Sequence, residues 1–490
     1  MSHYAAGMAG TRELLVASNR GPLSLATGED GQQEVRRGGG GLVSAMSSAM
    51  SSVEGVWVCS ALNDRERVVA RRAPQGHLAG AGVDTDGLDI RMLPIDAITF
   101  QRAYNGIANL TLWFVNHLLY DTPTKPVFDR RWRRQWQAYR DYGGAFAEAL
   151  AEEAAENATV VIQDYHLVLT PRLLRELRPD LRIGHFTHTP WASPDYYAML
   201  PDDVARDVLA GMLGADHAGF HSSRWAEAFM SCCAQVLGAA VDVSADRRTV
   251  TYEGHRTEIG VHALGVDGDT LLERAGQPDV DHRISHLREL AGDRRIITRV
   301  DRTELSKNIV RGLLAYRELL REYPQWRGRV VHVAYAYPSR HDLPEYREYT
   351  AAVQRLAGEI DDEFAAGDWT PLLLGVTDDY PGSLAAFRLA EVLLVNPIRD
   401  GMNLVAKEGP VLSEPGCALV LSREAGAADE LAADAFMVNP YDVSQTAEAL
   451  HEALLLPADE RAARCRRLAA AGTALPPAEW FAGQLSALRT

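Results

Sequence analysis

Short apolar runs alternate with longer amphipathic stretches along almost the whole chain, and this alternation limits the fold more than anything else in the sequence. A run that is apolar at consecutive positions is buried on both faces, as a strand in a helix-covered parallel sheet must be. In the first half such runs are LLVAS (14–18), VWVCSA (56–61), VVIQD (160–164), RIGHFTH (182–188) and AGFHS (218–222). Helical stretches such as 130–156 and 223–237 lie between them. The second half restarts with RRIITRV (294–300), then VVHVAYA (330–336), PLLLGV (371–376), EVLLV (391–395), ALVLS (418–422) and FMVNP (436–440). The expectation is an α/β protein built of βα units. With 490 residues the chain is too long for one core, so two domains are expected. The polar stretch 265–293 shows no strand pattern and reads as the linker. Two open α/β domains present their strand ends, and hence their ligands, along a cleft.

Charge and composition narrow the chemistry. A net charge of −16 argues against a basic nucleic-acid-binding face, so any anionic ligand must be held by a few local cations. The five cysteines form no CxxC pair, and adjacent Cys232 and Cys233 read as small core residues, not a disulfide or zinc site. No basic and apolar leader opens the sequence and no run reaches membrane-span length, so a cytoplasmic protein is expected, without membrane association. Of 50 basic residues only three are lysines, Lys125, Lys307 and Lys407. In a chain that writes arginine almost everywhere, a lysine hints at a site that wants a compact point charge.

Four clusters at strand ends carry the candidate chemistry. ASNRGP (17–22) places Arg20 after a strand, and glycines 38–41 of RRGGGGLVSAM read as a phosphate loop opening a helix. TRVDRTELSKN (298–308) sets Arg302 and Lys307 at a strand-to-helix turn, a site suited to a diphosphate. In NPIRDGMNLVAKEGP (396–410), Asp400-Gly401 lets bare backbone approach a ligand. A helix starting at Asn403 leaves the amides of 401–404 unpaired, and Glu408 can hold a vicinal diol. QDYHL (163–167) and HFTHTPWASPDYY (185–197) bring Asp164 and His188 to neighbouring strand ends. Capping and solvated charge explain single residues in each cluster but not the whole set.

In this order SNR, YN…N…LW, DYHL, H-x-P, R-x-x-x-SK, P-x-SR and RDGMNLVAKE resemble the trehalose-6-phosphate synthases, retaining glycosyltransferases of the GT-B type, from about Leu14 to the last helix. The resemblance implies two Rossmann-like domains facing across a cleft, a first over 1–265 and a second over 266–477, with 478–490 crossing back onto the first. It also implies small-molecule substrates, glucose 6-phosphate and a nucleoside-diphosphate glucose, with no metal or other cofactor. Homo-oligomerisation is left open. By the same resemblance Arg20, Tyr104, Trp113 and Arg340 hold the acceptor phosphate and Asp164 the acceptor hydroxyls. Gly40 and Gly41 cover the donor phosphates, while His188 and Asp400, with the amides of Gly401, Met402 and Asn403, bind the donor glucose. Arg302 and Lys307, supported by the Leu404 amide, neutralise the diphosphate, and Glu408 clasps the ribose. Arg302, Lys307, His188 and Asp164 are the catalytic set.

Some features depart from the family. Asn308 stands where glycine is usual, and LLLGVTDDYPGS (372–383), expected near the base, lacks the common wording. The narrow expectation is GDP-glucose over UDP-glucose. The acidic pair Asp84 and Asp86 is read as an ordinary loop, not a metal site. A pseudo-glycosyltransferase joining cyclitol units and a silent synthase-like regulator are the weaker readings, because the RDGMN stretch, Lys307 and Glu408 are all intact. No phosphatase domain is expected beyond the last helix.

Overall fold

The computed structural model describes residues 10–27, 33–37, 46, 50, 55–244 and 247–489. Two compact units make up the chain: Met1–His262 together with Pro477–Thr490, and Ala263–Pro476.

In the first unit, strands β1 (Arg12–Ser18), β4 (Gly55–Ser60), β5 (Asp89–Leu93), β6 (Ala154–Gln163), β7 (Arg182–Thr187) and β8 (His217–Phe220) form a parallel sheet in the order β5-β4-β1-β6-β7-β8. The first run expected from the sequence lies at its centre, with Val16 beside Trp57 on one side and Val161 on the other. A small hairpin, β2 (Leu23–Thr27) and β3 (Gln33–Arg37), interrupts the path from β1 to β4. β11 (His255–Val261) adds in parallel to β8 and then carries β10 (Arg248–Tyr252) and β9 (Ala240–Val243) antiparallel. Those last three strands escape an apolar-run reading because they are half-polar, and β9 is exposed at every position.

In the second unit, β12 (Arg295–Arg302), β13 (Val330–Tyr337), β14 (Leu372–Gly375), β15 (Val392–Val395), β16 (Ala418–Ser422) and β17 (Phe436–Val438) form an all-parallel sheet ordered β14-β13-β12-β15-β16-β17. Alternate residues serve two cores, one per face. Ile296, Val331, Val333, Leu393 and Val395 enter one core, and Ile297, Val330, Ala334, Val392 and Leu394 the other.

Both sheets therefore carry the doubly wound order, third-second-first-fourth-fifth-sixth. In such a sheet the order reverses beside the first strand, and a crevice opens at the carboxyl ends there. In the first unit this switch point lies between the ends of β1 and β6, and in the second between the ends of β12 and β15.

One expectation changes. The stretch 265–293 is not a linker but two helices of the second unit, Gly268–Ala275 and Pro278–Ala291. Asp267 caps the first by accepting from the Thr270 amide at 3.1 Å, and Pro278 opens the second. Val280, Ile284, Leu287 and Ala291 then bury at helical spacing. At the other end of the chain, the helix Pro477–Ala487 packs on the first unit, as anticipated. Trp480 and Phe481 are fully buried there, and the Trp480 indole donates to the His262 carbonyl at 3.0 Å.

Candidate active site

In the second unit the turn after β12 is built on a buried carboxylate. Glu304 is fully buried and accepts from Ser339 Oγ at 2.9 Å. Arg302 Nη1 lies 3.2 Å from it and Arg340 Nη1 3.7 Å. Burial pushes the Glu304 carboxyl up, but Arg302, Arg340 and Lys307 outweigh it and hold its pKa at about 2. One anion thus gathers three of the cations singled out in the sequence. Sequence reading missed Glu304, although an acid inside the R-x-x-x-SK motif was visible; Arg340, 36 positions away, supplies the meaning.

Lys307 ends a short 3-10 turn and donates to Asp400 Oδ2 at 2.6 Å, which joins the turn after β12 to the loop after β15. Burial lowers the Lys307 pKa, yet Asp400, Asp301 and Glu304 more than offset it and raise it above the ordinary value. Beneath it, Arg299 is 1% exposed; it donates to Asp301 at 2.9 Å, to Asn396 Oδ1 at 2.7 Å and to the Lys307 carbonyl. Gly312 makes room for that guanidinium, since a Cβ there would sit 2.1 Å from Arg299 Nη1. Asn308, in place of the usual glycine, keeps the left-handed backbone (φ 59°) and adds a tether, donating to the carbonyls of Asn396 at 3.0 Å and Pro440 at 2.7 Å.

The loop 400–404 is clamped from one side. Asp400 N–H donates to the Glu424 carbonyl at 3.1 Å, while Gly426 and Ala427 donate to the carbonyls of Asp400 and Met402. Gly426 is required there, because a Cβ would lie 1.9 Å from the Gly401 oxygen. Asn403 turns left-handed (φ 75°) and donates to Asp400 Oδ2 at 3.1 Å. The helix itself starts two residues later than anticipated, at Val405. The amides of Met402, Asn403 and Leu404 meet no acceptor among the described residues, which leaves them available to a ligand. Glu408 has no ion pair or hydrogen bond of its side chain among the described residues, and burial raises its pKa to about 7. Lys407 corrects the lysine-scarcity reasoning: it is fully buried, donating to the Leu264 carbonyl at 2.8 Å and pairing with Glu430. It is a core strut, not a ligand cation.

In the first unit Asp164 follows β6 with φ 72° and ψ 171°, a region almost reserved for glycine and costing about 1–3 kcal/mol. The neighbouring strand holds it there. Its N–H donates to the Phe186 carbonyl at 2.7 Å, and its Oδ1 accepts from the His188 amide at 3.1 Å. The His188 ring lies 2.8 Å from Gln163 Oε1 and 3.1 Å from His221 Nε2, and burial depresses its pKa to about 3. Tyr104 sits in a π-helical stretch, Arg102–Leu112, with its ring stacked between Phe100 and His166 at 5.2 and 5.5 Å. Trp113 follows directly and stacks on His117 at 3.9 Å. Arg20 is exposed after β1, and its guanidinium makes no ion pair among the described residues. The turn is shaped around it by Ser18, which donates to the Arg20 carbonyl at 2.6 Å, and by Tyr142, which donates to Asn19 at 2.7 Å. Gly40 and Gly41 lie outside the described residues.

The structure thus brings together Asp164 with His188, and Arg302, Lys307, Arg340, Asp400 and Asn403 through two carboxylates. Two doubly wound units with such groups at their switch points define a glycosyltransferase of the GT-B class. The chain belongs to glycosyltransferase family 20, which it matches over residues 12–490. It is 33% identical over 471 residues to the bifunctional trehalose-6-phosphate synthase/phosphatase of Thermoproteus tenax, covering 93% of this chain and 60% of that protein's length. A solved structure described as "Trehalose-6-phosphate from E. coli bound with UDP-2-fluoro glucose" matches with a TM-score of 0.84 and 26% identity, covering 97% of this chain and 99% of that one. The alpha,alpha-trehalose-phosphate synthase (UDP-forming) from Burkholderia xenovorans in complex with glucose-6-phosphate also gives a TM-score of 0.84 at 26% identity, covering 98% and 100%. Among the described residues no helix is long and apolar enough to cross a membrane.

Proposed function

We propose that the chain transfers glucose from UDP-glucose to glucose 6-phosphate with retention, giving α,α-trehalose 6-phosphate and UDP. The observation that carries this reading is the cation group at the second switch point, Arg302, Lys307 and Arg340 held by Glu304 and Asp400. In a chain of net charge −16 such a group suits an anionic ligand such as a phosphate. The sugar and acceptor come from the relatives, one bound with UDP-2-fluoro glucose and one with glucose-6-phosphate. The relatives favour UDP-glucose over the GDP-glucose expected from the sequence, because the synthase compared is described as UDP-forming.

In this reading the C1–O bond of the donor breaks through an oxocarbenium-like state, and negative charge grows on the departing β-phosphate. Arg302, Lys307 and the Leu404 amide stabilise that charge, each preorganised donor contributing a few kcal/mol. Asp400 with the amides of Gly401, Met402 and Asn403, together with His188, orients the glucose, and Glu408 accepts from the ribose diol. Arg20, Tyr104, Trp113 and Arg340 serve the acceptor phosphate, and Asp164 its hydroxyls. Gly40 and Gly41 serve the donor phosphates. The acceptor hydroxyl attacks from the face the nucleotide leaves, and the leaving phosphate takes its proton, so no side-chain nucleophile and no metal enters.

The test is a donor panel with glucose 6-phosphate, reading released nucleoside diphosphate and the anomeric configuration of the product by NMR. Turnover with UDP-glucose above that with GDP-glucose, and an α,α-linked phosphorylated disaccharide, is expected. Absence of nucleoside diphosphate release from either donor overturns the reading.

A further inference from the structure

Two of the five cysteines meet inside the second unit. Cys417, just before β16, and Cys465, on the helix Ala458–Gly472, hold their sulfurs 3.9 Å apart, and both are buried. The chain before β16 is pressed against that helix at Gly416 (φ 71°), where a Cβ would lie 2.8 Å from the Ala462 Cα, so the approach needs glycine. Arg461, itself buried, fastens the contact by donating to the Gly416 carbonyl at 2.7 Å and pairing with Glu391 at 2.9 Å. Of the helix only Arg461, Cys465, Leu468 and Gly472 are buried, a single stripe at helical spacing. The Cys465 thiol also reaches the Pro410 carbonyl at 3.3 Å, and the Ser413 hydroxyl is a further neighbour of Cys417. The hydrogen bond with the Cys417 thiol, aided by the Cys417 amide and the charges of Arg461 and Arg466, outweighs burial and lowers the Cys465 pKa below its usual value.

We propose that Cys417 and Cys465 are a site of reversible oxidation, at which a low-molecular-weight disulfide converts the two thiols into one intrachain disulfide. From 3.9 Å the sulfurs close by roughly 1.9 Å to reach a bond of ~2.05 Å, a distance within the reach of side-chain rotation. Cys465, as thiolate, attacks one sulfur of the reagent. The reagent's S–S bond breaks, one small thiol leaves with the proton that Cys465 gave up, and a mixed disulfide stays on Cys465. Cys417 then attacks the Cys465 sulfur, and the second small thiol leaves with the Cys417 proton. Two cysteine thiols are oxidised and one small disulfide is reduced to two thiols, so atoms and electrons balance. Both sulfurs are shielded, and the reagent enters when the helix Ala458–Gly472, held by its one stripe, opens locally. The new bond spans 48 positions and ties this helix to the sheet, which favours the folded unit. Loss of the Cys465 S–H at the Pro410 carbonyl opposes it, which favours a bond that small thiols can reverse.

The test treats the folded full chain with glutathione disulfide, then unfolds it, alkylates the remaining thiols and maps the peptides by mass spectrometry. A Cys417–Cys465 link is expected, with the intact chain lighter by two hydrogens and Cys59, Cys232 and Cys233 still alkylated. The oxidised chain should melt roughly 5 °C above the reduced one, the scale of one added disulfide, and dithiothreitol should reverse both the link and the shift. Cys417→Ala and Cys465→Ala should each abolish the link and the rise in melting temperature. In Cys417→Ala a mixed disulfide should remain on Cys465, because the resolving thiol is missing. Five alkylated cysteines in the treated wild type, a link between any other pair, or a mixed disulfide that persists on Cys465 of the wild type overturns the proposal. Should either variant fail to fold, the peptide map of the oxidised wild type decides. No step of the test requires turnover, so its outcome stands apart from that of the donor panel.

Discussion

The two units share one strand order but treat the ionisable groups at their strand ends in opposite ways. In the first, the part-buried His188 is held as a neutral ring, bonded to Gln163 and His221, and Asp164 accepts from a backbone amide. In the second, the buried Glu304 and the part-buried Lys307 and Asp400 are ions answered by ions. A sugar ring offers hydroxyls, which uncharged, directional partners can sort by geometry. A diphosphate offers charge, which needs cations held in place before it arrives. In the proposed reading the same sheet topology serves two recognition problems, and the difference lies in how burial is compensated.

The hardest test of this contrast removes the anion that organises the second unit. Glu304→Gln keeps the shape and the Ser339 contact but leaves buried cations unanswered, and is expected to cost about 3 kcal/mol in urea unfolding. Gln163→Leu, at a strand end of the first unit, removes only a neutral hydrogen bond and should cost about 1 kcal/mol. Equal losses would mean that charge compensation is not what separates the two sites.

Next in size is Lys307→Ala. Losing one preorganised donor to the departing phosphate should lower kcat by about 10²–10³, measured as UDP release at saturating substrates. A fall under threefold would show that Arg302 and the loop amides carry the charge without it. Lys407→Met is the control from the same unit: its partner Glu430 loses a buried mate, so stability changes while kcat does not.

Much of this was readable beforehand, for a physical reason. Strands buried on both faces announce themselves as apolar runs, and ligand residues sit where those runs stop, so Asp164, His188, Arg302, Lys307 and Asp400 fall at strand ends by position alone. What stayed hidden depends on partners distant in sequence. Glu304 looks like one acid among many until Arg340 folds over it, and His221 looks like the end of an apolar run. Lys407 misled in the opposite sense, because rarity of lysine says nothing about Glu430, 23 residues on. The helix Pro278–Ala291 was missed because its few apolar residues lie among charges, though their spacing was helical.

A smaller effect follows from Glu408, which sits in the second unit without an ionic partner. Burial raises its pKa to about 7, so the carboxyl is mostly neutral at pH 6 and mostly ionised at pH 8. Only the ionised form accepts two hydrogen bonds from a ribose diol. The donor KM should fall by up to about tenfold between those pH values, following the ionised fraction. Glu408→Gln should flatten the profile. Stability moves the other way: an acid whose folded pKa is raised favours folding below its ordinary value of 4.5 and loses that contribution as pH rises through about 7.

The smallest effect marks the place where the first unit does bury ions, at the starts of its strands and not their ends. His77 Nδ1 lies 2.7 Å from Asp89 and its Nε2 3.0 Å from Glu153, while Arg12 and Arg91 pair with the same two carboxylates. The hydrogen bonds to Asp89 and Glu153 outweigh burial and raise the His77 pKa from 6.5 to about 9. A histidine raised on folding contributes stability that is fully present below pH 6.5 and fades as pH climbs through about 9. The melting temperature should therefore decline across that window in the wild type, and His77→Asn should remove the decline while lowering the plateau. Because this cluster lies away from the strand ends, the donor KM should be unchanged by the same substitution. A KM that moved with His77 would mean the ionic foundation and the neutral sugar site are one network, and the contrast between the two units would lose its sharpest edge.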